Sequence, residues 1–286
     1  MTTSRLLAAA LLGLGLASGC SARRTAPPPR PAANDASAAT AQRNREGPKP
    51  YRSVITAEAR TDDGLFTVHT IGDKLYYEIP DSLLDREMLL VSRIAKTADN
   101  IGYGGEEANE QVVRWQRLGN RILLRTVSYT NVASDTLPIY QAVRNSNFEP
   151  IIRSFHIEAF TPDSSAIVIE VSGLYSRDVP GLGLQQSRRD AYKVRRLDES
   201  RSFVTSSRSF PQNIEVRSIL TYEAGAPPSN GPTGTISLEM NHSMILLPKE
   251  PMRPRIWDER VGYFRIAQTD YGLDEQKATT RHYITR

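Results

Sequence analysis

The 286-residue chain contains one cysteine, Cys20. A single thiol forms no internal disulfide and builds no cysteine-rich zinc or iron–sulfur site. Histidine is also scarce: His69, His156, His242 and His282 are scattered, and no H-E-x-x-H run sets a helical zinc pair around a base. There is no G-x-S-x-G elbow and no Walker A sequence. Gly181-Leu-Gly183 lacks the third glycine and the strand-to-helix setting of a dinucleotide site. No repeat of 20–50 residues is visible, so a propeller or solenoid is not supported. With 39% hydrophobic and 24% charged residues, the composition excludes a collagen, a coiled coil, a disulfide scaffold and a multi-span membrane protein.

What is there begins with an address. Arg5 precedes an apolar run over residues 6–16, then Ala17-Ser-Gly-Cys20. One positive charge, a short apolar stretch and small residues before a cut site form a secretory signal. The run is shorter than the ~20 apolar residues that span a bilayer. The sole cysteine stands directly after the small residues, as in the lipobox of bacterial lipoproteins. That resemblance implies removal of residues 1–19 and lipidation of Cys20, although Ala17 replaces the commoner Leu. An acylated terminus anchors stably when more than one chain is attached. Ser21 follows, rather than the Asp of inner-membrane retention, so the resemblance implies the outer membrane, facing the periplasm.

Residues 21–50 hold six Pro and eight Ala, with no Ile, Leu, Val, Met, Phe, Tyr or Trp. Such a segment cannot bury enough apolar surface to offset its ordering entropy. Residues 20–50 therefore read as a lipidated tether. It carries six basic residues against Asp35 and Glu46, while residues 51–286 hold 29 Lys and Arg against 30 Asp and Glu. The formal charge of +4 thus belongs to the leading segments, where it suits an anionic bilayer surface. Nucleic acid is not an expected partner of a secreted, near-neutral body.

Residues 51–286 read as hairpins. Residues 65–71 and 74–79 flank Gly72-Asp73, a loop with the positive φ that tight hairpins require. Residues 87–94 form a third strand. Further pairs are 111–118 with 121–129 about Gly119-Asn120, 151–160 with 166–174, 202–222 with 234–247, and 261–268 with 278–285. Alternation places Phe155, Ile157 and Ala159 on one face and His156, Glu158 and Phe160 on the other, as in half-buried antiparallel sheet. Residues 82–87 suit one helical turn; 138–145 and 185–197 suit short helices. The expected fold is mainly β, built from antiparallel hairpins in a sandwich or barrel, with a few short helices and a possible division near 175–200.

The sharpest metal-ligating set is His156 with Glu158, joined by Glu170 across the hairpin, since histidine and carboxylates bind zinc. Alternation puts them on the polar face, where solvated side chains are expected, so no metal is assigned. In the loop 100–109, adjacent Glu106 and Glu107 point apart in extended chain, which is poor for paired acid–base work; the loop reads as a mobile connection. Arg188, Arg189, Lys193, Arg195 and Arg196 have the charge to meet phosphate or lipid, but a solvated helix face explains them more cheaply. Trp115 and Trp257 read as core or edge packing.

Several segments carry a resemblance: Asp63-Gly-Leu-Phe66, Tyr76-Tyr-Glu-Ile-Pro80, Leu89-Leu-Val-Ser-Arg93, Phe210-Pro-Gln-Asn-Ile-Glu-Val-Arg217, Arg260-Val-Gly-Tyr-Phe264 and Tyr283-Ile-Thr-Arg286. Together they resemble the N-terminal half of a bacterial zinc-dependent metalloprotease family whose N-terminal portions are domains of unknown function. The resemblance covers residues 51–286. It implies a zinc-binding catalytic domain beyond these residues, and it transfers no catalytic or metal-binding residue to them. It also implies a non-catalytic, lipid-anchored module that supports or gates that domain. Zinc is expected only in the missing domain, and residues 278–286, a strand pattern running into the terminus, fit a truncated chain. The alternative is a stand-alone envelope lipoprotein that binds a protein or peptide partner through a sheet edge or the loop 99–110. A weaker idea is a barrel that carries a lipid or glycan.

Overall fold

The structure is a computed structural model, and it describes residues 47–228, 234–274 and 276–285. Cys20, the leader and most of the tether lie outside these residues. The described residues belong to one compact unit, Gln42–Arg286. With 47% of residues in strands and 12% helical, the chain is mainly β, as its hairpin pattern predicts.

In chain order the elements are α1 (Tyr51–Val54), β1 (Arg60–Asp62), β2 (Thr67–Ile71), β3 (Lys74–Pro80), β4 (Glu87–Lys96), β5 (Glu107–Leu118), β6 (Arg121–Thr126), β7 (Asn131–Val132), α2 (Tyr140–Ser146), β8 (Ile151–Phe160), β9 (Ala166–Glu170), α3 (Ser172–Ser176), α4 (Gln186–Ala191), β10 (Val194–Leu197), β11 (Phe203–Ser209), β12 (Asn213–Ala224), β13 (Thr235–Leu246), β14 (Arg265–Asp270) and β15 (Thr279–Ile284). The large sheet runs β2-β3-β9-β8-β6-β5-β4-β13-β12-β11, with β1 outside β2 and β10 beside β12. All its pairings are antiparallel, and it is nearly closed into a barrel. This decides between sandwich and barrel. Gly72 and Gly119 adopt the expected positive φ in their hairpins.

The barrel's two ends meet at β2 and β11 through individual bonds. Leu65 N donates to Phe210 O at 2.7 Å. Ser209 Oγ donates to Phe66 O at 2.7 Å, and Ser209 N donates to Asp62 Oδ2 at 2.9 Å. A Cβ on Gly64 would meet Ser209 Oγ at 2.5 Å and Phe210 N at 2.7 Å, so only glycine permits this approach.

Inward residues alternate along each strand. Phe66, Tyr77, Trp115 and Phe155 pack edge to face or tilted at 5.5–6.3 Å between centroids, contacts worth about 0.5–1.5 kcal/mol each beyond area burial. Helix α3 inserts Leu174 and Tyr175 into this cluster, and the Tyr77 and Tyr175 hydroxyls hydrogen-bond at 2.8 Å. A second apolar cluster around Ile94, Leu220, Tyr222 and Met240 fills another part of the interior. Neither cluster includes Ser92, Ser218 or His242, which are buried near them. The Ser92 hydroxyl lies 2.9 Å from His242 Nδ1, and Ser218 Oγ 3.5 Å from Nε2. On the outer wall, Tyr51, Val54 and Ile55 cover Tyr76, Ala159 and Val168. With both faces covered, β9 reads as the unbroken apolar run Ala166-Ile-Val-Ile.

The differences from the sequence reading are local. Residues 202–222 divide into β11 and β12 at Phe210. Residues 172–176 leave the expected strand to form α3, which fills the barrel. The expected helix 185–197 stops at Ala191, and β10 then pairs with β12.

Candidate functional site

Metal chemistry was the first candidate. Glu158 and Glu170 line one small groove with Lys49 and Lys74, and His156 is not part of its lining. Glu158 sits where the β8–β9 register shifts between Ile157 and Ala159. Among the described residues no group of three or more His, Cys, Asp or Glu can hold a metal ion, so their donor set does not fit zinc and no step is routed through it. The remaining histidines lie apart: His242 inside the barrel, His282 on β15 beside Trp257, and His69 on the outer wall.

His69 belongs to a chain of polar groups. Its Nδ1 hydrogen-bonds Thr61 Oγ1 at 2.9 Å, and its Nε2 lies 3.3 Å from Glu78 Oε2, which accepts a 2.7 Å bond from Tyr51. The His69 bond, outweighing burial, holds the Glu78 carboxylate below its ordinary range, while burial and Glu78 push the Tyr51 hydroxyl up. The chain fastens β1 and α1 to the wall.

The loop 99–110, read from composition as a mobile connection, is tied to α4 and its flanks by several hydrogen bonds. Arg188 donates to Ile101 O and to Glu106, Tyr192 donates to Asn100 O, and Gln185 Nε2 reaches Ala108 O at 2.8 Å. Glu107 points elsewhere, to Arg93 at 3.9 Å. Three of the five basic residues are committed, Arg188 as above, Arg189 clamping Asp178 with bonds of 2.8 and 2.6 Å, and Arg196 pairing with Glu223 at 2.7 Å; Arg195 and Arg196 lie on β10 rather than on a helix face. A local reading of charge cannot see these partners, because they are distant in sequence.

Two features remain open to solvent. The first is a cleft of about 370 Å³ between the outer barrel wall and the segment carrying β7 and α2. Its wall is a row of cross-strand neighbours, Glu87 on β4, Arg114 on β5 and Arg125 on β6. Like charges directly opposite are unfavourable, and Arg114 faces Arg125. Arg114 resolves this by pairing with Glu149 at 2.5 Å. Arg125 is only 7% exposed; its Nε donates to Gln116 Oε1 and its Nη1 to Glu149 O, both at 2.8 Å. Phe148 lies over its guanidinium at 4.8 Å. Tyr129 donates to Glu87, and burial followed by that carboxylate pushes the phenol up. Sequence reasoning missed this group, although counting back from the Gly119-Asn120 turn pairs 114 with 125 and signals a counter-charge nearby.

The second feature is the C-terminal sheet β15-β14-β7. It hangs from the cleft's own rim: Thr269 N donates to Thr130 O, Tyr271 N to Val132 O, and Gln268 Nε2 to Tyr129 O. Among the described residues none beyond Met244 is buried. Met252, Ile256, Val261, Tyr263, Phe264 and Ile266 are all more than half exposed, Phe264 by 89%. Large clusters of exposed apolar residues mark interaction surfaces.

Barrel, seam and hanging sheet together define a β-barrel module with exposed apolar residues in the segment leading into one sheet. The chain belongs to the family described as Domain of unknown function (DUF5117), which matches residues 105–286, and Domain of unknown function (DUF5118) matches residues 48–97. No curated protein and no solved structure matches the chain.

Proposed function

We propose that this chain is the non-catalytic, lipid-anchored module of a zinc-dependent metalloprotease-type envelope protein, supporting or gating a catalytic domain through the exposed apolar residues of segment 252–266, which leads into β14. Cys20 would carry the lipid, placing the module at the outer membrane on the periplasmic side. Zinc would reside in the partner domain, which would supply metal-activated water for peptide cleavage. The observation that carries the reading is the stretch beyond Met244: a strand pair preceded by a segment with several large exposed apolar side chains, and not one buried residue among those described. A hairpin that buries so little of its own surface is poorly stable by itself, and a covering domain would supply the missing burial.

Two measurements test this. An open reading frame past the Arg286 codon encoding H-E-x-x-H is expected; an authentic stop followed by an unrelated gene counts against the proposal. With that domain produced separately, the chain should bind it, and Phe264→Asp with Ile266→Asp should abolish binding while leaving the barrel's melting unchanged. Undiminished binding would refute the assigned face.

A second reading, an envelope lipoprotein that captures a peptide, draws on another observation. β7 covers only Thr269 and Asp270 of β14, so residues 265–268 offer an edge to an added strand.

A further inference from the structure

We infer that the cleft on the barrel wall is a binding site for the free C-terminal carboxylate of a short peptide, with Arg125 as its anchor. The inference is independent of the docking face and of any catalytic domain.

Charge carries the argument. Five charged side chains line the cleft: Arg114, Arg125 and Arg144 against Glu87 and Glu149. Arg114 takes the Glu149 carboxylate, and Tyr129 engages Glu87. Arg144 is exposed to water and stacks on Tyr140 at 5.8 Å. Arg125 alone is a buried cation without a carboxylate partner; its contacts are an amide oxygen, a backbone carbonyl and a ring face. Burying a charge without a counter-ion is costly, and an incoming anion removes that cost. Among the described residues Nη2 makes no hydrogen bond beyond those of Nε and Nη1, which leaves donors for the anion.

The remaining lining selects among anions. One excess positive charge suits a monoanion. A dianionic phosphate would bring a second negative charge beside Glu87 and Glu149. Asn131 donates to Asn147 Oδ1 at 2.7 Å and Asn147 to Val143 O at 2.8 Å, while Gln116 Oε1 accepts from Arg125; the Gln116 amide N–H groups and Asn131 Oδ1 are left to meet the acceptors and donors of a peptide backbone. Phe148, 72% exposed over the guanidinium, gives an apolar rim for the last side chain. The volume lies within the usual range of small-ligand sites.

The test is calorimetric titration of the whole chain with N-acetyl-Ala-Leu bearing a free carboxylate, with the same peptide as its C-terminal amide, and with inorganic phosphate. The free acid should bind roughly tenfold or more tightly than the amide, the usual effect of a charged hydrogen-bond pair, and more tightly than phosphate. Arg125→Gln should remove that preference. Because a substitution at a buried position can disturb folding, Phe148→Ser, on the exposed rim, provides the second arm: it should weaken the free acid and leave the melting temperature in place. Equal binding of acid and amide, tighter binding of phosphate, no binding at millimolar peptide, or an unaffected Phe148→Ser would each overturn the assignment.

Discussion

His242 makes the stability of the barrel depend on pH in a calculable way. Its ring is fully enclosed, hydrogen-bonded to Ser92 and set at a tilt of 45° to the Tyr175 ring, 5.2 Å between centroids. Burial lowers its pKa from 6.5 to about 3. The unfolded chain therefore binds a proton below pH 6.5 that the folded chain refuses until pH 3. Stability is intact above pH 6.5 and is lost as pH falls through that window. At pH 5 the loss from this group is about 2 kcal/mol, and below pH 3 it approaches about 5 kcal/mol. With a urea slope of about 2 kcal/mol per molar, the midpoint should fall by about 1 M between pH 7.5 and pH 5. Other groups add to the measured change, so the informative quantity is a difference of differences. His242→Asn keeps a polar atom near Ser92 and cannot be protonated. The variant should be less stable at pH 7.5 but should lose about 2 kcal/mol less than the parent on going to pH 5. Identical pH dependence in the two proteins would show that His242 is not held neutral by burial.

Three further outcomes are expected. Arg188→Ala should raise amide hydrogen exchange over residues 99–106 without changing exchange in the barrel strands, because that guanidinium joins the loop to α4. Tyr77→Phe should cost about 1–3 kcal/mol in chemical denaturation, since it strands the buried Tyr175 hydroxyl; a neutral result would mean that water or another group replaces the bond. Trp115→Phe should remove the blue-shifted part of the tryptophan emission, and Trp257→Phe the red-shifted part, because Trp115 is fully buried while Trp257 lies half-buried beside Arg265.

Much of the barrel was legible because hairpin turns and alternation are local. Gly72 and Gly119 sit at the tips of the hairpins their neighbours imply, and Phe155, Ile157, Ile167 and Ile169 face inward together. What stayed hidden depends on residues far apart in sequence. Arg188 reaches Glu106, 82 residues away, so a loop rich in Gly and Glu reads as mobile until its clamp is known. Helix α3 continues the apolar pattern of β9, and only the barrel's need for a filling element turns it inward. The Arg125 cleft was half visible: the turn pairs it with Arg114, but the answering Glu149 enters from a segment with no periodicity to place it.

The two family matches, 48–97 and 105–286, suggest two units, yet the sheet interleaves them. The first contributes β1 to β4 and the second β5 to β15. β3 pairs with β9, and β4 lies between β5 and β13. The seam crosses the same boundary: Gly64 and Leu65, in the segment Asp63-Gly-Leu-Phe66, meet Ser209 and Phe210 at the start of the segment running to Arg217. Each of those segments supplies half of a contact with no slack, where one side demands a residue without a Cβ. A sheet lacking β2 to β4 would expose long edges on both sides of the gap and open the aromatic cluster around Trp115 to water. Neither matched region should therefore fold alone. Residues 48–100 and 101–286 produced separately should each show weak, non-cooperative melting, and cooperative unfolding should return when they are mixed. A cooperative transition in either half by itself would mean that the boundary between the matches is a true domain boundary.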